Sequence, residues 1–376
     1  MKLKIRPKKL ILPSLNVLAA AGIIVTSVIG SSAAHSQEYN FTAQKWKGTS
    51  DGNYSQHGCF FNKEAEFSTS RIRSVKGQFL SALKDAAYAT ENTDTLLVDA
   101  YSAVVGESKV KCDIAGSSNA QITAVGGDFF YFHDFGLVSG SYFTEKDTMQ
   151  DGAVIDRTLA WELYGSDDVA GMNIYIDGVK CYIAGVVEDP KGKAEKKCAG
   201  KMPKAYVSYD TATTMKKYAA AGGAAQAAEE FTEITCYECV LPEPVENFGK
   251  TTVKNVFGDT YGENVSIVEN TARFKEKTRA KAFKKLSESV IRNDGIRLPY
   301  WENASRMAEF KVSVCCGIRR YLLIIPIVTF LWLAYKGILA YNKNKKTIRR
   351  KALNFIGGKL RKKKAAPENY RKGLTS

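Results

Sequence analysis

The sequence predicts an α+β domain held on the outer side of a membrane between two membrane-spanning helices. Three observations lead there. Two runs of about 21 residues, one near each end, are almost free of charge. The net charge of +15 is confined to the flanks of those runs. Between them, helical and strand-like periodicities alternate, which suggests helices packed on a sheet.

The first run is 10–30, LILPSLNVLAAAGIIVTSVIG, without a charged residue, and the second is 321–341, YLLIIPIVTFLWLAYKGILAY, with only Lys336. A helix of that length rises about 31 Å, which matches the hydrocarbon core of a bilayer. Tyr321 and Tyr341 bracket the second run as interface anchors would. Pro326 is tolerated in a membrane helix, and Lys336 can extend its ammonium toward the nearer interface. The first run has a rival reading as a secretory signal peptide, because Ser31-Ser32-Ala33-Ala34 follows it. The location of what comes next is the same in either case.

Charge sets the orientation. Segment 1–9 carries five basic residues and no acid, and 336–376 carries fourteen with one acid, Glu368. These ends hold +5 and +13, so 10–335 sits at −3. By the positive-inside rule both tails, 1–9 and 342–376, are cytoplasmic and 31–320 is extracytoplasmic in a two-pass cell-membrane protein. A nucleic-acid-binding fold would put its positive charge on a folded face, so nucleic acid is not an expected partner. The tails suit anionic lipid instead.

Within the outer segment, 31–65 is polar and expected to be a spacer with little regular structure. From Ser70, a candidate N-cap, Ile72, Val75, Phe79 and Leu83 recur at helical spacing. Strands are expected at 95–105, 108–114 and 119–125, with Gly106 in a turn. AVID leads to a short helix, RTLAWELYG. NIYI and VKCYIAGVV flank Asp177-Gly178, a strong hairpin signal. Asp189-Pro190 ends that strand. Segment 191–203 is Lys-rich and expected to be loop. AYVSY at 205–209 is a strand, with Asp210 a candidate cap for the helix after it. The alanine-rich run 218–230 is either helix or loop. Strand 231–241, helix 245–257, strand 264–268 and helix 273–292 follow. A last helix starts near Trp301 and either runs unbroken to 341, with 301–320 as a stalk, or breaks at Cys315-Cys316-Gly317.

No motif carries chemistry. His35, His57 and His133 form no HExxH pair. Gly48-Thr49-Ser50-Asp51-Gly52 matches the letters of a nucleophile elbow but lies in the polar spacer, where a strand and a helix are not expected. Gly249-Lys250-Thr251 lacks the earlier glycine of a phosphate-binding loop, where Pro244 stands. Cys236-x-x-Cys239 falls in a strand, where residues three apart face opposite sides. An outer location permits disulfides among Cys59, Cys112, Cys181, Cys198, Cys236 and Cys239, but spacing does not choose a pairing. No catalytic, cofactor-binding or metal-binding residue is therefore assigned, and a membrane-anchored hydrolase has no support.

The stretch 126–190 carries a recognisable pattern. Its marks are Gly140 and Phe143, then Val154, Ala160, Leu163 and Gly165, then Gly171, Ile174 and Ile176, and last Gly185 and Val186. In order and spacing they resemble the MacB-like periplasmic core domain of FtsX-class ABC permeases, with a broader resemblance over about 10–320. LPYWENASRMAEF at 298–310 is also similar to the segment leading into the second membrane helix of such permeases. The resemblance implies an outer domain of two lobes, a mixed lobe with a strand-rich lobe inserted at about 126–190. It implies a non-enzymatic subunit of an ABC export system whose outer domain transmits motion driven by a separate ATP-binding subunit. A full-length permease of the class, or a second copy of this chain, is a further expected partner. Full permeases of this class have four membrane helices and a cytoplasmic coupling loop, whereas two are visible here. The competing expectation is a membrane-anchored surface binding or sensory protein using the same outer fold.

Overall fold

A computed structural model describes residues 11–49, 51–88, 96–114, 116–220, 222, 230–284 and 295–364. The basic segment 1–9, Ser50, most of the alanine-rich run, the end of the helix expected at 273–292 and the last twelve residues lie outside the described residues. The chain divides into two units, Ser27–Gly317 and a second made of Met1–Thr26 with Ile318–Ser376.

The helices are α1 (Ile11–His35), α2 (Thr42–Lys47), α3 (Ile72–Asp85), α4 (Phe129–Phe132), α5 (Arg157–Tyr164), α6 (Lys193–Ala199) and α7 (Tyr209–Ala220). Next, α8 (Phe248–Val253) continues through a π-turn, Lys254–Gly258, into α9 (Asp259–Tyr261). The last two are α10 (Glu276–Phe283) and α11 (Tyr300–Lys364). The strands are β1 (Tyr54–Phe61), β2 (Val98–Cys112), β3 (Ser117–Gly127), β4 (Leu137–Gly140) and β5 (Gly152–Asp156). They continue with β6 (Asn173–Ile176), β7 (Val179–Val187), β8 (Lys204–Ser208), β9 (Cys236–Pro242) and β10 (Val265–Glu269).

Among the described residues, ten strands of the larger unit join in one mixed sheet, ordered β10-β1-β9-β2-β3-β8-β5-β7-β4, with β6 pairing β2 and β7. Among the described strands, β3–β8 and β5–β7 pair in parallel and the rest antiparallel. At one end, Ile122, Ile155, Leu159, Ile174, Ile183 and Val207 form an apolar core under α5 and α7. At the other, Phe61, Phe67, Phe79, Tyr237 and Phe257 form an aromatic core with α3. A third cluster, with Phe129, Phe132, Tyr206 and Trp301, lies on the other face of β9.

The 176–179 hairpin is as expected. Ile176 pairs with Val179, and Asp177 and Gly178 have φ of 47° and 90°, the left-handed pair a type I′ turn requires. Asp156 caps α5 by accepting the Leu159 N–H, and Gly165 ends it in the left-handed region.

Several local expectations are corrected. The stretch 31–65 is no spacer: α1 runs on to His35, α2 follows, and β1 is a central strand between β9 and β10. Its Ser55, Gln56 and His57 are buried, so hydrophobic alternation could not reveal it. Gly106 is not in a turn. It sits at a bulge inside a continuous β2, where the register against β3 shifts between Val104 and Gly106. Segment 191–203 contains α6. Asp210 lies inside α7, and Ser208 accepts the Thr211 N–H in the capping role. Ser70 falls in a 3-10 turn before α3 and bonds Ser68 rather than capping.

In the smaller unit, Asn16 Nδ2 donates to Thr329 Oγ1 at 3.1 Å. Gly22 lies so close to Leu322 that an added Cβ would come within 2.7 Å of it. Small residues and polar pairs of this kind bring membrane helices together. Large apolar side chains such as Phe330 and Leu331 are exposed, as lipid contact requires. Both α1 and the Tyr300–Lys346 part of α11 are long and apolar enough to cross a membrane. Helix α11 is unbroken at Cys315-Cys316-Gly317.

Candidate functional site

Residues 302–309 of α11 carry Glu302, Ser305, Arg306 and Glu309 at helical spacings of three and four, which gathers them on one side of the helix. That side is buried at its start. Glu302 is fully enclosed, and Ser305 likewise. A charge there needs a partner, because an unpaired buried carboxylate costs several kcal/mol.

The partner is Arg273, on the turn after β10, with a side chain 1% exposed. Its Nη1 and Nη2 donate to the two Glu302 oxygens, each at 2.7 Å, a bidentate pair. Arg273 Nε donates to Glu309 at 2.9 Å, and Nη1 also reaches Asn40 Oδ1 at 2.9 Å and Tyr39 Oη at 3.1 Å. The Tyr39 hydroxyl donates to Glu302 at 2.7 Å, and Arg306 adds a further bond at 2.9 Å. Asn40 donates to Ser305, which donates to Gln37. Burial opposes the Arg273 charge, but Tyr39 and Glu302 around it outweigh that and hold its pKa well above the ordinary value.

Three separate chain segments thus meet: 37–40 just after α1, the turn at 273, and the first turns of α11. A fourth strand of support comes from β1, where Gln56 Nε2 donates to the Tyr39 carbonyl at 2.6 Å. Beside this network His133 Nε2 contacts Glu238 Oε2 at 2.5 Å, both side chains buried. The His133 ring lies 4.6 Å from Trp301 and 5.4 Å from Tyr39, between centroids. A cleft of about 770 Å³ opens next to these rings, with Tyr39, His133, Tyr300 and Trp301 in its wall.

Residues 17–234 match the family model of the MacB-like periplasmic core domain, more than half of the chain. The chain belongs to this family. Two solved structures are similar to this MacB-like chain. The extracellular domain of the ABC-type transporter YknZ from Gram-positive bacteria shares 14% identity, covering 57% of this chain and 99% of that one, with a TM-score of 0.37. The periplasmic region of MacB from Actinobacillus actinomycetemcomitans shares 12%, covering 63% and 94%, with a TM-score of 0.38. No curated protein matches. A MacB-like periplasmic domain together with two helices able to cross a bilayer makes this a membrane protein with an extracytoplasmic domain.

The residues weighed from sequence for chemistry are dispersed in this MacB-like fold. Ser50 lies outside the described residues. His57 is buried in β1 with its Nε2 3.1 Å from Ser55 Oγ, and burial lowers its pKa to about 4, aided by Lys250. His35 ends α1 and stacks on Phe41. Lys250 and Thr251 lie in α8. Cys236 and Cys239 lie on opposite faces of β9, in different cores. The described cysteines are free thiols. Sequence reasoning missed Arg273, Glu302 and Tyr39. Their separation in the chain hides the pairing, and only the polar 302, 305, 309 spacing hinted at it.

Proposed function

We propose that the chain is a non-catalytic, permease-like subunit of an ABC export system, in which the outer domain transmits motion driven by a separate ATP-binding subunit. The observation that carries this reading is the buried Arg273–Glu302–Tyr39 network. It fastens the segment following α1 to the first turns of α11, and α11 continues without a break into the apolar run. A shift of either helix is then felt by the same set of hydrogen bonds. Membership of the MacB-like family supports the same reading. In the proposed topology 10–30 and 321–341 span the membrane, 31–320 lies outside, and both basic tails are cytoplasmic against anionic lipid.

The test is a flexible Gly-Ser insertion at about residue 317. In cells carrying the cognate ATPase, export should be lost while folding and membrane insertion persist. Capture of the chain from detergent should bring a nucleotide-binding subunit with it. Harmless insertion, together with absence of any such subunit, would leave a surface binding or sensory protein as the better reading.

A further inference from the structure

The cleft of about 770 Å³ has the volume of a site for a drug-sized molecule. Its wall is formed within the larger unit by residues 36–45, 131–136, 188–195 and 300–301, and seven of its lining residues are Phe, Tyr or Trp. Five carboxylates line it against two lysines. Aromatic faces carry negative potential, and so do carboxylates, so the two features select for the same charge.

The cleft already holds one cation in this manner. Lys45 Nζ lies 4.7 Å from the centroid of the Tyr131 ring and 3.6 Å from Asp134 Oδ2. That arrangement of an ammonium between a ring face and a carboxylate is built from the protein's own side chain. Glu195 is half-buried. Burial raises its carboxyl pKa, and the charge of Glu38 adds to this against the pull of the Gly192 N–H. Glu38 and Glu195 both line the cleft, where a bound positive charge would offset their like charges. Trp301, 5% exposed, also lines the cleft and adds to its aromatic wall.

We propose that this cleft binds a hydrophobic organic cation, its apolar body against Tyr131, Tyr300 and Trp301 and its positive charge held by Glu38, Asp134 and Glu195. The ligand displaces Lys45 from the Tyr131 face. The inference does not depend on coupling to an ATPase, because binding is measured on the chain alone.

The experiment uses the full-length protein in a neutral detergent and tetraphenylphosphonium as the probe, with tetraphenylborate as an anion of the same size and shape. Equilibrium dialysis should give saturable binding of the cation, at least about tenfold tighter than the anion. The double variant Glu38→Gln/Glu195→Gln should weaken cation binding about tenfold. Lys45→Met, which removes the internal rival, should tighten it. Unchanged thermal midpoints establish that the variants are folded. Equal affinity for the two probes overturns the proposal, as does wild-type affinity in the double variant. Weaker binding by Lys45→Met, in a protein that melts normally, overturns it as well.

Discussion

The apolar core under α5 and the polar junction at Arg273 are both sealed from water, yet they are built on opposite principles. The core relies on Ile122, Ile155, Leu159, Ile174 and Ile183, whose contacts are non-directional and tolerate repacking. At the junction the enclosed side chains are a guanidinium, a carboxylate, a phenol, a hydroxyl and two amides. Replacing a buried ion pair by well-fitted apolar groups is often neutral for stability or better. Such a junction is therefore poorly explained as a stability device. Its directional bonds fix one geometry between the segment after α1 and the start of α11. The contrast teaches that stability and positioning are assigned to different parts of this domain.

The largest test of that contrast is Glu302→Ala, which takes from buried Arg273 its bidentate partner and leaves it the Glu309 carboxylate at Nε. A loss of about 3–5 kcal/mol is expected in denaturation of the full chain in detergent. The double variant Arg273→Met/Glu302→Leu should recover most of that stability while export stays impaired. Recovery of both would make the junction a stability element after all.

Second comes pH. His57 is buried neutral, with a pKa lowered from 6.5 to about 4. Between those values the unfolded chain binds a proton that the folded chain refuses. The stability contribution is full above about pH 6.5 and is lost as pH falls toward 4, an effect of about 3 kcal/mol. His57→Gln should flatten the difference between denaturation curves recorded at pH 7 and pH 4. An identical slope in both proteins would show that His57 is not the group responsible.

Third, Gly178→Val probes the apolar end. It places a β-branched residue at a φ of 90°, and its Cβ would fall 2.5 Å from Tyr218. About 1–3 kcal/mol should be lost, seen as an earlier thermal midpoint. The smallest effect belongs to Arg157→Ala. Its pairs with Asp167 and Glu188 are solvent-exposed and screened, so the thermal midpoint should hardly move.

Legibility followed the same division. Where burial is one-sided or a turn has a fixed chemistry, the sequence announced the structure, as at the Ile72, Val75, Phe79 stripe of α3 and at Asp177-Gly178. Strands enclosed on both faces gave no alternation. Every position of β9 is buried, and β1 buries Ser55, Gln56 and His57 among its apolar neighbours. The absence of a pattern in β1 looked like a spacer. The junction was hidden for a different reason. Arg273 and Glu302 look like ordinary surface charges in one dimension, and nothing local reports that they meet. The family pattern at 140–186 was visible because it is made of turn glycines and apolar positions, which survive as text.

The strand order has a consequence for biogenesis. β1 lies between β9 and β10, so its partners are encoded some 180 residues downstream. If the chain emerges from its amino end, Tyr54–Phe61 waits on the order of ten seconds for them at ordinary synthesis rates. During that interval a strand containing Cys59, Phe60 and Phe61 presents bare hydrogen-bonding edges. Assembly outside the membrane is therefore a late, long-range event, and a guardian for that early segment would shorten the exposure more than one for any later strand.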